Sequence, residues 1–243
     1  VSLEMIGPYD TKTPEKYISG LPALFMIVAD PVGAKLIHEY SHSGREFVTG
    51  THNRVPEDVQ IRAIKTYLKA DRIGLAYNKD ELNSVLNAKK IQELAGKLGF
   101  ELVAKAVGVD ENGKSDKNSL TQLVDSFKKE KVDIIYIGSS SFLSSNRDLF
   151  TEAALKQKIP VAAGSEIFVR KSKALLAVAN RYYNIGQLAG LQAEQVLFKG
   201  KKPIDVEVRS LSRYSFVVNM DTARKLELYP PIQLLRFADL VNK

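Results

Sequence analysis

Short apolar runs alternate with longer amphipathic stretches along most of this chain, and that rhythm restricts it to few folds. The runs are 21–29 (LPALFMIVA), 72–77 (RIGLAY), 101–107 (ELVAKAV), 133–137 (DIIYI), 159–163 (IPVAA) and 175–179 (LLAVA). Each is short and apolar on both faces, as expected of parallel strands with helices above and below. Helical periodicity fills the gaps at 57–70, 82–98, 120–129, 149–156 and 185–198, with Gly99 placed to stop the second of these and Asn118 and Ser119 to open the third. Strand and helix in alternation predict an α/β chain of doubly wound parallel sheets with right-handed crossovers.

The last third departs from the rhythm. Residues 206–208 and 216–219 read as short edge strands, Asp221 as the cap of a helix reaching about residue 228, and 232–241 as a final amphipathic helix after Tyr229-Pro230-Pro231. No repeat of solenoid spacing and no low-complexity tract is present.

Composition narrows the chemistry. The 243 residues include no cysteine, which excludes disulfides, thiolate metal sites and cysteine nucleophiles. The net charge of +7 is spread through helices and often sits beside acids, as in Lys128-Lys129-Glu130-Lys131, so nucleic acid is not an expected partner. No stretch approaches the ~20 apolar residues of a membrane span, and the opening Val-Ser-Leu-Glu is not a signal sequence.

In an open parallel sheet, ligands bind beyond the carboxyl ends of the strands. Four polar, glycine-bearing turns follow expected strands: Gly7-Pro8-Tyr9-Asp10-Thr11 after a strand at 3–6, Asp30-Pro31-Val32-Gly33, Gly138-Ser139-Ser140-Ser141, and Gly164-Ser165-Glu166. Their N–H groups suit a carboxylate or an amide. Any one such turn is ordinary; four together favour a binding cleft. Enzyme signatures are wanting, because the serines of 139–141 lack the glycine spacing of a nucleophile elbow. His38-Glu39-Tyr40-Ser41-His42 has the letters of H-E-x-x-H, but Pro31 and Ser43-Gly44 leave too little room for a stable helix, so surface histidines are expected and no metal or cofactor.

From residue 21 onward the order of these segments resembles the ABC-transporter substrate-binding proteins of the tryptophan/tyrosine type, long catalogued as a family of unknown function. The stretches that carry the resemblance are LPALFMIVADPVGAKLI (21–37), Val48-Thr49-Gly50, IPVAAGSE (159–166), YYNIGQLAGLQAEQVLFKGKKP (182–203), FVVNMDTARKLEL (216–228) and PPIQLLRFAD (230–239). The resemblance implies a type I periplasmic-binding-protein fold, with two doubly wound lobes that close on a ligand by hinge motion. One lobe would take residues 1–52 and about 181–243, the docking of the tail being open, and the other 53–180. The implied function is the solute-binding component of an importer, not an enzyme, in the periplasm or another extracytoplasmic space, with an ABC permease as partner. A sensory ligand-binding domain is the alternative.

Family ligands are aromatic or other hydrophobic amino acids. By position the resemblance implies a cleft formed by Tyr9, Asp10, Thr11, Asp30, Thr49, Ser139, Ser140, Ser141, Glu166, Arg181 and Tyr182, with Tyr9 or Phe142 available to stack on a ring. Two departures stand out. Arg181 occupies a position where the family carries an aspartate, which points toward an anionic solute, and a serine run at 139–141 replaces a more varied loop. The family also has about 70 residues ahead of the point where this chain begins, so the first lobe is expected to be incomplete: either the chain is a piece of a longer one, or a homodimer or domain swap supplies the missing surface.

Overall fold

The computed structural model describes residues 3–242 and divides them into two compact units. The first comprises residues up to Arg54 together with Asn180–Arg213; the second comprises Val55–Ala179 and Tyr214 onward. The chain therefore passes from one to the other three times. Each unit is built on its own sheet.

The first unit opens with a helical turn, α1 (Leu3–Ile6), where the sequence suggested a strand. The turn is held in part by Arg45, whose guanidinium donates to the carbonyls of Ile6 (3.1 Å) and Gly7 (2.7 Å). Two parallel strands follow, β1 (Ala23–Val28) and β2 (Val48–His52), with a bulge between Phe25 and Val28. β2 escapes detection in the sequence because VTGTH has one large apolar residue and a glycine.

The chain then builds most of the second unit. In order come α2 (Glu57–Tyr67), β3 (Arg72–Tyr77), α3 (Leu82–Leu98), β4 (Glu101–Ala106), α4 (Leu120–Lys129), β5 (Ile134–Ile137), α5 (Ser141–Ser145), α6 (Arg147–Lys156), β6 (Val161–Ala163), α7 (Ile167–Arg170) and β7 (Leu176–Ala179). It returns to the first unit as α8 (Tyr182–Leu197), which packs on β1 and β2. Ile185, Ala189, Gln192 and Val196 form its buried stripe, spaced three or four residues apart as a helix face requires.

The tail closes the second unit with β8 (Ser215–Asn219), α9 (Met220–Leu226), α10 (Ile232–Leu235) and β9 (Ala238–Val241). The strand order is β4-β3-β5-β6-β7-β8-β9. The first five are parallel, β8 runs antiparallel to β7, and β9 is parallel to β8.

Alternation along the strands separates two cores. Ile135 and Ile137 face α4 and α6, joining Leu120, Val124, Phe127, Phe150 and Ala154. Ile134 and Tyr136 face the other way and join Ile61, Ile64, Ile91 and Ala95 of α2 and α3. Both faces are thus covered, as an all-parallel core demands.

Four expectations for the tail and its approach are corrected. Residues 206–208 form no strand: Val206 and Val208 are buried, but the backbone makes only a bridge between Arg209 and Thr51. Asn219, not Asp221, caps α9, accepting from the Thr222 N–H at 3.1 Å. The helix expected over 232–241 stops after one turn and gives way to β9. There Ala238 and Leu240 meet one core and Val241 the other, a period of two. Finally, pairing with β7 assigns the segment from Tyr214 to the second unit, not to the first lobe.

Phe127 is fully buried between α4 and the sheet. Phe127→Ala should lower the unfolding free energy of the second unit by about 3–5 kcal/mol, the usual cost of an emptied phenylalanine site. Urea denaturation checks this, and a loss under about 1 kcal/mol would contradict the packing described.

Candidate functional site

Each unit carries its own set of polar groups at the ends of its strands. In the first, β1 ends at Val28, and the loop that follows turns back on the acid the sequence pointed to. Asp30 accepts from the Gly33 N–H (2.9 Å) and the Tyr40 hydroxyl (2.9 Å), and its other oxygen pairs with Arg54 at 3.3 Å. Arg54 also donates to the Tyr40 oxygen at 3.1 Å. His52, at the end of β2, sets its ring 4.7 Å from that of Tyr40. Burial pushes the His52 pKa down to about 4, with Arg54 adding to the fall and Asp30 opposing it. Asp30, Tyr40, His52 and Arg54 are therefore one polar cluster at the carboxyl ends of both strands. Of the four, only Asp30 was legible as a site residue in the sequence.

The turn at residues 7–11 joins this loop through the Tyr9 N–H, which donates to the Lys35 carbonyl at 2.8 Å. Tyr9 stacks on His38 with ring centroids 4.0 Å apart, and Asp10 forms an ion pair with Lys35 at 2.5 Å. Thr11 accepts from the Thr13 N–H. Thr49 is fully buried and donates its hydroxyl to the Val206 carbonyl at 2.7 Å, so the structure gives it a place in the sheet and leaves no hydroxyl for a ligand. Arg181 stands exposed at the N-cap of α8, and no ion pair to it is found among the described residues. Tyr182 follows as the first residue of the helix.

His38 and His42 do not lie on a helix, and His42 is 3.0 Å from Glu39. Among the described residues no three His, Asp or Glu side chains gather as a metal site.

In the second unit the serine run follows β5. Ser140 caps α5, accepting from the Leu143 N–H (3.0 Å) while its own hydroxyl donates to Asn78 Oδ1 (2.7 Å). The Ser141 N–H donates to both oxygens of the Glu81 carboxylate, at 2.9 and 2.8 Å. Asn78 and Glu81 follow β3, so the loops beyond β3 and β5 are bound together. Ser139 is half-buried. Gly138 has no alternative at its position, since a Cβ there would fall 1.8 Å from Asn87 Oδ1. Asn87 in turn donates to Glu57 at 3.3 Å, and Tyr136 donates to Gln60.

Glu166, at the end of β6, is paired with Arg170 at 2.7 Å, and Arg170 also pairs with Asp239. This acid is already neutralised within its own unit. The partners Asn78, Glu81, Asn87 and Gln60 went unrecognised in the sequence, where nothing distinguishes them from ordinary helix and loop residues.

These ends of strands now have a context. Residues 6–242 match the family described as ABC transporter substrate binding protein. The chain belongs to that family. It is also 30% identical, over 209 residues, to a tyrosine-binding protein of Clostridioides difficile (strain R20291), an alignment that covers 86% of this chain and 57% of the relative. The chain thus spans less than two thirds of that relative's length.

Among solved structures, the ABC domain in complex with L-Trp from Streptococcus pneumonia is 25% identical with a TM-score of 0.80, covering 93% of this chain and 73% of that one. A conserved domain protein from Vibrio cholerae is 27% identical with a TM-score of 0.78, covering 90% and 71%. A ligand-free, open substrate binding protein with adhesive properties from Clostridium difficile is 27% identical with a TM-score of 0.73, covering 92% and 72%. The fold is that of periplasmic-binding-protein-like chains, and the family is one of solute-binding proteins rather than enzymes. No helix among the described residues is long and apolar enough to cross a membrane.

The depressed His52 pKa makes a signed prediction. In the unfolded chain the imidazole takes up its proton near 6.5, but in the folded chain only near 4. Stability should therefore fall as pH drops from about 6.5 to about 4 and gain no further loss from this group below that. His52→Gln should flatten this part of the pH–stability curve. An NMR titration of the His52 ring with a midpoint near 6.5 would contradict the assignment.

Proposed function

We propose that this protein is the solute-binding component of an ABC importer and that its ligand is an amino acid with an aromatic side chain, or a closely related aromatic acid. In this reading it works outside the cytoplasm, takes up the solute, and delivers it to an ABC permease. The observation that carries the proposal is the match of residues 6–242 to the substrate-binding family together with the 30% identity to a tyrosine-binding protein. The L-Trp bound by the Streptococcus structure supports the same ligand class.

Within this reading individual residues take distinct roles. The loops at Asp30 and at Ser139–Ser141 supply polar groups beyond the carboxyl ends of β1 and β5, where ligands of such sheets are held. The exposed Tyr9 and Tyr182 offer ring faces to an aromatic side chain. Arg181 is a cation that can form a charge-assisted hydrogen bond with a carboxylate. Asp10, Asp30 and Glu166 each already face a cation, so the ligand's carboxylate is recognised in preference to its ammonium group. Thr49 supports β2 rather than touching the solute.

Isothermal titration with L-tyrosine, L-tryptophan and 3-(4-hydroxyphenyl)propionate tests the proposal. Saturable binding of at least one is expected, with the propionate, which lacks the ammonium, binding within about tenfold of tyrosine. Arg181→Ala should weaken binding about tenfold, the value of one charge-assisted hydrogen bond of ~1.5 kcal/mol. Absence of binding by all three would overturn the ligand class, and unchanged affinity in the variant would remove Arg181 from the site.

A further inference from the structure

The second unit carries a cationic groove that shares only Arg170, the partner of Glu166, with the proposed solute site. It is an open groove of about 560 Å³ lined by Arg170, Lys171, Lys173 and Arg224 together with Asp221 and Asn242. Lys171 and Lys173 lie in the turn that leads into β7, at the amino end of that strand. The loops at Gly138–Ser141 and Gly164–Glu166 leave the carboxyl ends of parallel neighbours, so the groove opens at the opposite edge of the sheet.

The cations here are poorly compensated. Arg170 is taken by Glu166 and Asp239, and Asp221 by Lys225 at 2.8 Å. Lys171 and Lys173 have no ion pair among the described residues, and Arg224 donates only to the Asn242 carbonyl at 3.3 Å. Asp221 lies in the groove with Lys173 and Arg224, yet four cations against one carboxylate leave it net positive, and like charges repel unless an anion joins them.

The turn that presents them is held from below by buried polar groups. Thr151, Ser172, Asn219 and Thr222 are all at most 6% exposed. The Thr151 hydroxyl donates to the Arg147 carbonyl (2.8 Å), so Ser172 donates to Thr151 (2.6 Å), which also accepts the Lys173 N–H (3.1 Å). The Asn219 amide donates to the carbonyls of Val169 (3.1 Å) and Ser172 (3.0 Å), and Thr222 donates to that of Lys173 (3.2 Å). A satisfied buried network of this kind rigidifies the backbone above it. Lysine and arginine on a fixed turn are suited to phosphate, lysine as a point charge and arginine as a fork.

We infer that this groove is a second, separate binding site, for a phosphate-bearing anion. Its source is either a free phosphate compound or a phospholipid headgroup, which share the same chemistry. The site is independent of the solute reading and stands or falls without it.

The test uses the 243-residue protein at constant ionic strength, because screening would otherwise mimic loss of binding. Inorganic phosphate is titrated calorimetrically against chloride-matched buffer, and sedimentation is measured with phosphatidylglycerol and phosphatidylcholine vesicles. The triple variant Lys171→Gln/Lys173→Gln/Arg224→Gln is compared with Lys89→Gln/Lys97→Gln on α3, which removes charge from exposed positions away from the groove. Binding of phosphate, weakened at least tenfold in the triple variant and under twofold in the control, supports a site for a free anion. Binding to phosphatidylglycerol vesicles alone, with the same contrast between variants, supports the headgroup. No binding of either probe, or equal loss in both variants, overturns the site. Urea denaturation of the triple variant confirms that it is folded, since no buried group is altered.

Discussion

A parallel strand buried on both faces can offer polar groups only at its ends. In the second unit the strands β3, β5, β6 and β7 are largely apolar, with Ile73, Leu75, Ile134, Ile135, Ile137, Val161 and Leu176 nearly or fully excluded from water. Backbone groups left unpaired by the sheet therefore collect at the loops, where each must find a partner. The structure meets this demand by linking neighbouring loops: Asn78 and Glu81 beyond β3 hold Ser140 and Ser141 beyond β5. The same requirement that keeps the sheet dry makes one edge of it a dense, preorganised polar surface.

The smaller unit obeys the constraint with fewer strands. Asp30 sits where β1 ends, paired with Arg54 and accepting from the Tyr40 hydroxyl. The cost of half-burying an acid and a guanidinium is offset by geometry that satisfies both. In this arrangement Asp30 shapes the loop more than it offers a free charge. Arg181, which has no such partner among the described residues, is the group left to act outward.

How much of this the sequence disclosed follows from the range of each interaction. α3 spans Leu82–Leu98 and stops at Gly99, whose φ of +63° is the left-handed conformation the residue was expected to supply. α4 likewise begins and ends as its periodicity indicates. Both are local effects. The tail was misread because its pattern is too short to separate a helix from a strand, and pairing with β8 decides it. At the site, turns such as 30–33 and 138–141 were legible from glycine, proline and serine. Their partners were not: Asn78 meets Ser140 across 62 residues and Glu81 meets Ser141 across 60. Thr49 looked like a ligand hydroxyl until a carbonyl 157 residues away was found to accept it.

The central claim is that an aromatic amino acid or acid is held by the loops beyond the carboxyl ends of these strands. Amide hydrogen exchange with and without saturating L-tyrosine tests it most directly. The account predicts slowed exchange concentrated at residues 29–33 and 138–141, with the helices α3 and α4 unchanged. Protection elsewhere, with both loops exchanging as in the free protein, would contradict it.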